Sequence, residues 1–182
     1  MSIFEINVKE DKPEHLSQIY FGMGCFWGAE RKFWHLDGLY TTVVGYAGGH
    51  TSDPNYEKVC TGTTGHAEVV KVIYDEKKKK LNDLLKIFWE SHNPTQLNRQ
   101  GNDIGTQYRS IILTENENLI TELERSKNKF QGSLTAKSFG TIHTEIKTIK
   151  NFYVAEDYHQ KYLHKNPNGY CGLKGLEVSY TQ

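Results

Sequence analysis

The sequence predicts a mixed α/β (α+β) fold, a ferredoxin-like split βαβ two-layer sandwich with extra helices and a long C-terminal coil. The first observation is the order of the leading segments, which is strand, helix, strand, strand, helix, strand. The second is that both helices in this order carry an apolar face that can cover a sheet. The third is a length of 182 residues with no polar or Pro/Ser-rich linker, which indicates one domain over 1–182.

The first half of the chain supplies three strands and one helix. Residues 1–17 have no periodicity and are expected to form an N-terminal arm. Near-helical spacing of Phe26, Ala29 and Phe33 indicates a helix, and Asp37-Gly38 has the turn chemistry to end it. The predicted elements are a strand at 18–23, a helix at 25–35, a β-branched and aromatic strand at 39–47, a polar loop at 50–65 and an apolar strand at 67–74.

The second half begins with a helix that Asn82 is expected to cap and that Asn93-Pro94 ends. The elements predicted after it are a polar loop at 95–106, a strand at 107–113, a helix spanning 119–130, a weaker strand at 141–149 and a short helix spanning 155–162. The tail at 165–182 is rich in glycine, has no clear period and contains Cys171. We expect this tail to be a mobile coil packed on the surface.

Composition excludes several classes of protein. Basic and acidic residues balance at 22 each, so steered binding to nucleic acid or to an anionic membrane is not expected. No segment approaches the roughly 20 apolar residues of a membrane span, and the charged N-terminus does not resemble a signal peptide, so we expect a soluble, cytoplasmic protein. Three separated cysteines, no CxxC pair and no HxxxH pair predict neither a disulfide framework nor a metal site.

Cys25 lies between Gly24 and Gly28, where a strand pattern changes to a helix pattern. Free backbone N–H groups and the helix dipole stabilise a thiolate in the first turn of a helix, so its pKa is expected to be lowered. Phe26 and Trp27 would place two large apolar surfaces beside the sulfur. A buried structural cysteine that opens an ordinary helix explains the position equally well.

Other candidates are less specific when taken alone. The glycines around Cys171 would let it reach Cys25 as a resolving thiol, although it could equally be a small loop residue. Cys60 is expected to pack as a small hydrophobe. Glu68, at the edge of a strand near aromatic residues, could have a raised pKa and donate a proton, and a plain surface carboxylate is the alternative.

The segment from Gly24 to Glu30 resembles the signature of the peptide methionine sulfoxide reductase A family. Further family-like blocks follow in family order from about residue 18 to about residue 176. They are Gly45-Tyr46-Ala47-Gly48-Gly49, Pro54-Asn55-Tyr56 with Val59-Cys60, Thr64-Gly65-His66-Ala67-Glu68, Gly101-Asn102-Asp103 through Gln107-Tyr108-Arg109-Ser110, Tyr158-His159-Gln160 and Gly169-Tyr170-Cys171-Gly172.

The resemblance implies reduction of the S epimer of methionine sulfoxide, free or within a protein, to methionine. In that reaction Cys25 would attack the sulfoxide sulfur. The roles implied for the other residues are a methyl-binding pair in Phe26 and Trp27, a protonated acid in Glu68, assistance from Tyr56 and Tyr108, and membership of the same polar network for Asp103. An acid is needed because sulfoxide oxygen leaves only when it is protonated.

The resemblance also implies how the enzyme is recycled. Cys25 is left as a sulfenic acid that Cys171 converts to a disulfide, and thioredoxin reduces that disulfide. Many family members relay the disulfide to a cysteine eight positions later, but here that position is Ser179, so direct reduction is expected. No cofactor is implied, and a monomer is expected.

Two other classes compete with this assignment. A non-catalytic binder would use the aromatic slot of Phe26 and Trp27 for methylated side chains. A cysteine hydrolase would use a histidine such as His66 to activate Cys25. Neither explains why Glu68 and a tail thiol accompany the family-like blocks.

Overall fold

The computed structural model describes residues 4–5 and 12–181. Most of the expected arm at 1–17 therefore lies outside the described residues. Within them the elements are β1 (Ser17–Gly22), α1 (Phe26–Phe33), β2 (Leu39–Ala47), α2 (Tyr56–Cys60), β3 (Ala67–Tyr74), α3 (Leu81–Ser91), β4 (Arg99–Gln100), β5 (Asp103–Ile104), β6 (Ile111–Thr114), α4 (Ile120–Ala136), β7 (Glu145–Thr148), β8 (Phe152–Val154) and α5 (Tyr162–Lys165).

The central sheet has the strand order β7-β6-β1-β3-β2-β8. Its four middle strands, β6-β1-β3-β2, are antiparallel neighbours and form the split βαβ core. β7 extends the sheet beside β6 in parallel, and β8 extends it beside β2 in antiparallel fashion. The expected α+β fold class is confirmed.

The core lies between the sheet and its helices. Apolar side chains of β1, β2 and β3 pack against Phe33 of α1 and against Phe88 and Trp89 of α3. The aromatic rings of Phe21, Phe33 and Phe88 stack at centroid distances of 5.3 and 5.2 Å. Burial of such side chains is the main stabilising contribution and fixes α1 across the sheet.

Several predicted elements differ in detail. The loop expected at 50–65 contains α2, and the loop at 95–106 contains the β4-β5 hairpin. No element was predicted at the position of β8. Asn82 is not the cap of α3, because that helix begins after Lys80, whose N–H donates to Asp83 Oδ2 at 3.1 Å.

The tail is irregular after α5, as expected, but it does not lie only on the surface. Val178 and Tyr180 are buried in the main core. The Tyr180 N–H donates to Glu90 Oε1 at 2.7 Å and its hydroxyl donates to Asn82 Oδ1 at 2.9 Å. The end of the tail is therefore fixed to α3.

A buried ion pair fixes the segment before α5 to α1. Lys161 Nζ lies 3.0 Å from Glu30 Oε1, and the Lys161 N–H donates to Glu30 Oε2 at 2.9 Å. The Thr42 hydroxyl of β2 also donates to Glu30 Oε1, at 2.8 Å. Lys161 adopts the left-handed conformation with φ 53°. These contacts set the neighbouring residues His159 and Tyr162 against the start of α1.

Candidate active site

Cys25 is the N-cap of α1, one residue before the helix rather than inside its first turn as expected. Its carbonyl accepts the Ala29 N–H at 3.2 Å. Gly24 before it has φ +101°, and a Cβ there would lie 2.8 Å from the side chain of Gln100, so this turn requires glycine. The thiol is half-buried at the edge where β1 passes into α1.

The electrostatics of Cys25 differ from the prediction. Burial raises the pKa of its thiol, and a negative charge on Glu68 raises the pKa further. The backbone N–H groups of Trp27 and Gly28 lower the pKa, as expected for the start of a helix, but they do not outweigh burial. The expectation of a lowered pKa was therefore wrong in its net direction, because the sequence does not show how far the sulfur is removed from water.

Glu68 is 2% exposed on β3 and is not the surface carboxylate of the alternative interpretation. The N–H of Phe26, the residue after Cys25, donates to Glu68 Oε1 at 3.0 Å. Burial raises the pKa of Glu68 to about 8, although the hydrogen bond from Phe26 opposes this shift. The carboxyl group thus carries a proton near neutral pH, and in that form it places no negative charge beside Cys25.

Tyr56, Tyr108 and Asp103 are half-buried and interact electrostatically with Glu68. Burial raises the pKa of both phenols, and the charge of Glu68 raises them further, so both hydroxyls keep their protons. Asp103 in β5 raises the pKa of Glu68 and of Cys25 through its own charge. The structure thus brings these three predicted residues together with the thiol and the acid.

Phe26 and Trp27 do not form the exposed pair that was expected. Phe26 is only 1% exposed and belongs to the core. Trp27 is half-buried and stacks on Tyr162 at a centroid distance of 3.8 Å. Its indole N–H donates to Nδ1 of His159 at 2.9 Å. The indole is therefore held in a fixed plane beside Cys25.

His159 is a residue of the site that sequence reasoning did not single out. Its ring is fully buried, 5.0 Å from Phe26 and 4.7 Å from Tyr56 between centroids. Burial lowers its pKa, and Nε2 has no hydrogen-bond partner among the described residues. The neutral ring accepts from Trp27 and orders the aromatic side of the site. The block Tyr158-His159-Gln160 was the available signal.

Cys171 lies beside the start of α1. A Cβ built on Gly28 would lie 2.8 Å from its Sγ. A narrow cavity of about 10 Å³ is lined by Cys25, Cys171, Gln100 and Asp103, among other residues. All three cysteines are free thiols, and Tyr170 donates its hydroxyl to Asp103 at 3.3 Å. The tail thus brings a second sulfur to the same place as the first.

Cys60 and His66 behave differently from the expectations. Cys60 is exposed at the end of α2, where its thiol contacts the Tyr56 hydroxyl, so it does not pack as a small hydrophobe. Both ring nitrogens of His66 are occupied, because Nδ1 accepts from the Gly49 N–H at 3.0 Å and Nε2 lies 2.8 Å from the Thr51 carbonyl. His66 is therefore unsuited to activate Cys25 as a hydrolase base.

Among the described residues, 4–5 and 12–181, no group of three or more His, Cys, Asp or Glu side chains could hold a metal ion. No helix within the same residues combines the length and apolar character needed to cross a membrane.

Comparison with known proteins identifies related chains. Residues 17–179 match the family model described as peptide methionine sulfoxide reductase. Peptide methionine sulfoxide reductase MsrA of Brucella suis biovar 1 (strain 1330) is 56% identical over 167 residues, which cover 92% of this chain and 77% of that protein.

Solved structures are also similar to this chain. Methionine sulfoxide reductase A of Corynebacterium diphtheriae has a TM-score of 0.82 at 44% identity and covers 88% of this chain and 79% of its own. Mxr1 from Saccharomyces cerevisiae in complex with Trx2 has a TM-score of 0.57 at 25% identity, covering 85% of this chain and 90% of its own.

Proposed function

The chain belongs to the peptide methionine sulfoxide reductase family, and on that premise we propose how its own residues perform the reaction. It is an oxidoreductase that reduces methionine sulfoxide to methionine with a thiol and is recycled by thioredoxin. We assign Cys25 as the nucleophile, Glu68 as the acid and Cys171 as the resolving thiol, with the S epimer as substrate.

One observation carries this assignment. Glu68 is buried, holds a proton near neutral pH and is hydrogen-bonded to the residue that follows Cys25. Sulfoxide oxygen is a poor leaving group until it is protonated, so the acid must lie beside the attacking sulfur. A proton on Glu68 also eases ionisation of Cys25, because two adjacent negative charges are avoided.

In the first step Cys25 loses its proton and attacks the sulfoxide sulfur while Glu68 donates to the oxygen. Tyr56 and Tyr108 assist with their hydroxyl hydrogens, and Asp103 helps to keep Glu68 protonated. The oxygen passes to Cys25, so the substrate sulfur gains two electrons and the Cys25 sulfur loses two. Glu68 recovers a proton equivalent to the one the thiol released. Trp27 supplies the apolar surface for the methyl group, and the buried ring of Phe26 packs in the core beside it.

In the second step the sulfenic acid of Cys25 condenses with Cys171. The S–O bond breaks, the S–S bond forms and water leaves. A thioredoxin thiolate then attacks the disulfide, and a second thiol completes the exchange. Ser179 cannot accept the disulfide, so thioredoxin acts on the Cys25–Cys171 bond itself.

We also propose the setting of this reaction. The chain acts as a single domain and a monomer in the cytoplasm, where it repairs oxidised proteins and supports the response to oxidative stress. It needs no bound cofactor, since thiols supply both electrons. The balanced charge of 22 basic and 22 acidic residues supports partners other than nucleic acid or membranes.

Mass spectrometry after addition of one equivalent of S-epimer sulfoxide tests the assignment. We expect one equivalent of methionine and a Cys25–Cys171 linkage. The Cys171→Ser variant should release one methionine and then stall with thioredoxin as reductant. Rapid continued turnover by that variant would count against Cys171, and a binder without catalytic activity would release no methionine.

A further inference from the structure

Gly28 occupies a helical position at which glycine is less stabilising than alanine. It lies inside α1, where glycine costs roughly 0.5–1 kcal/mol relative to alanine. It is buried, and the space beside its Cα is occupied by the tail: a Cβ would lie 2.8 Å from Cys171 Sγ and 3.3 Å from Leu173 Cβ. The missing side chain therefore makes room for the second sulfur.

The position of this space matters because Gly28 follows Cys25 by three residues at the start of the helix. Residues three apart lie on the same side of a helix, so a sulfur placed over Gly28 faces the side on which Cys25 begins the turn. Both thiols line the narrow cavity of about 10 Å³, which has room for about one water.

Other contacts hold the tail in this place. Leu173 packs on the same surface, with its Cδ1 3.9 Å from a Cβ built on Gly24. Gln100 forms the facing wall, and its side-chain amide is fixed by two hydrogen bonds of 2.9 Å to the backbone of Asn93. The resolving sulfur is therefore placed by packing before any bond to Cys25 forms.

We propose that Gly28 is the positioning residue for the resolving step: its bare Cα seats Cys171 next to Cys25, ready to attack the sulfenic acid. This inference rests on the proposed function. In the step, Cys171 sulfur attacks Cys25 sulfur, the S–S bond forms, the S–O bond breaks, and the hydroxyl leaves with the thiol proton as water. Cys171 is oxidised by one electron and Cys25 is reduced by one.

The test is Gly28→Ala, with Gly132→Ala as matched control. Position 132 lies in α4, and apart from its chain neighbours and the nearby backbone of that helix, no atom of the described residues lies within 4 Å of a built Cβ. Two rates are measured. The first is methionine formation from the S-epimer sulfoxide. The second is the conversion of sulfenic acid to disulfide, followed by adding dimedone to samples at successive times to label the sulfenic acid that remains. A misplacement of about 1 Å can cost about 100-fold, so Gly28→Ala should slow disulfide formation by about 10- to 100-fold. Methionine formation should slow much less, and sulfenic acid should accumulate.

A second variant guards against misfolding. Leu173→Ala leaves α1 intact, loosens the tail and should also lengthen the lifetime of the sulfenic acid. Disulfide formation at the wild-type rate in Gly28→Ala would overturn the proposal. If Gly28→Ala does not fold, the wild-type rate in Leu173→Ala would overturn it instead.

A failure of the proposed function is recognised by a different measurement, the release of methionine by the wild type. If the wild type releases no methionine, the proposed function is wrong. The resolving step can still be measured in that case, because hydrogen peroxide oxidises Cys25 to the same sulfenic acid and releases water. Slow disulfide formation by Gly28→Ala after peroxide would support the seat for Cys171 by itself, and an unchanged rate would overturn it.

Discussion

Two buried glutamates flank the start of α1 and differ in their partners. Glu30 is fully buried and pairs with Lys161, while the Thr42 hydroxyl donates a further hydrogen bond to it. Glu68 is 2% exposed and accepts from the Phe26 N–H, and within the described residues no lysine or arginine is ion-paired with it.

The difference distinguishes a carboxylate that is ion-paired from a carboxyl group that keeps its proton. A buried charge is tolerated when it is paired and hydrogen-bonded, and such a pair fixes geometry. A buried carboxyl group without a cation keeps its proton instead, which is reflected in the raised pKa of Glu68. One residue type thus anchors the segment that carries His159 at position 30 and, in the proposed mechanism, supplies a proton to the substrate at position 68.

The largest effect on the reaction rate is expected from a substitution of Glu68. Glu68→Gln retains an acceptor for the Phe26 N–H but has no transferable proton. Loss of a general acid costs about 10²- to 10⁴-fold, so methionine formation in a single turnover should fall by that factor. Rapid-quench measurement checks this, with urea unfolding as a control that the variant is still folded. A near-normal rate would remove Glu68 from its role.

The opposite outcome is expected at Glu30. Glu30→Ala leaves Lys161 buried without its partner, and breaking a buried pair costs about 3–5 kcal/mol. Urea unfolding should show this loss. The double variant Glu30→Leu with Lys161→Met should recover most of it, because neither charge remains. A loss below about 1 kcal/mol in the single variant would contradict the assignment of this pair as an anchor.

The pH dependence of the free energy of unfolding tests whether Glu68, unlike the ion-paired Glu30, keeps its proton in the folded protein. Glu68 keeps its proton up to about pH 8 in the folded protein and loses it near pH 4.5 when unfolded. Between these values the folded state binds the extra proton, so its contribution to stability is full below pH 4.5 and declines as pH rises towards 8. The slope is at most about 1.4 kcal/mol per pH unit.

The matched measurement is the free energy of unfolding from pH 5 to pH 8. The wild type should lose stability relative to Glu68→Gln over this range. Parallel curves for the two proteins would show that the Glu68 carboxyl group is not held protonated by the fold.

The smallest effects are expected at the two phenols. Tyr56→Phe and Tyr108→Phe each remove one hydroxyl beside Glu68 while the ring stays in place. A single hydrogen bond contributes about 0.5–1.5 kcal/mol, which corresponds to a fall of about 2- to 10-fold in single-turnover rate. A loss as large as that of Glu68→Gln would make the affected phenol the main proton donor.

Local patterns allowed most of the fold to be predicted. β2 and β3 were predicted with their observed bounds, because β-branched and apolar runs are local signals. β8 was missed because its three residues become a strand only by pairing with β2, more than 100 positions earlier in the chain. Contacts of that kind leave no periodic pattern in a short segment.

The site was predicted in part. The residue types that the reaction needs were visible in the motifs, and the structure gathers Cys25, Glu68 and Cys171 around one end of α1. The raised pKa of Cys25 was not predicted, because burial depends on packing across the whole fold. The same limit applies to His159 and Gly28, whose importance lies in neighbours that are distant in sequence.

Fixation of Tyr180 to α3 has a consequence for the tail. The segment that carries Cys171 is attached at α5 on one side and at Tyr180 on the other, so it is an internal loop and not a free chain end. The conformational entropy lost on closing a loop grows only slowly with its length. Release of Leu173 and of the Tyr170 hydroxyl would therefore expose the proposed Cys25–Cys171 bond to a reductase while Val178 and Tyr180 stay in the core.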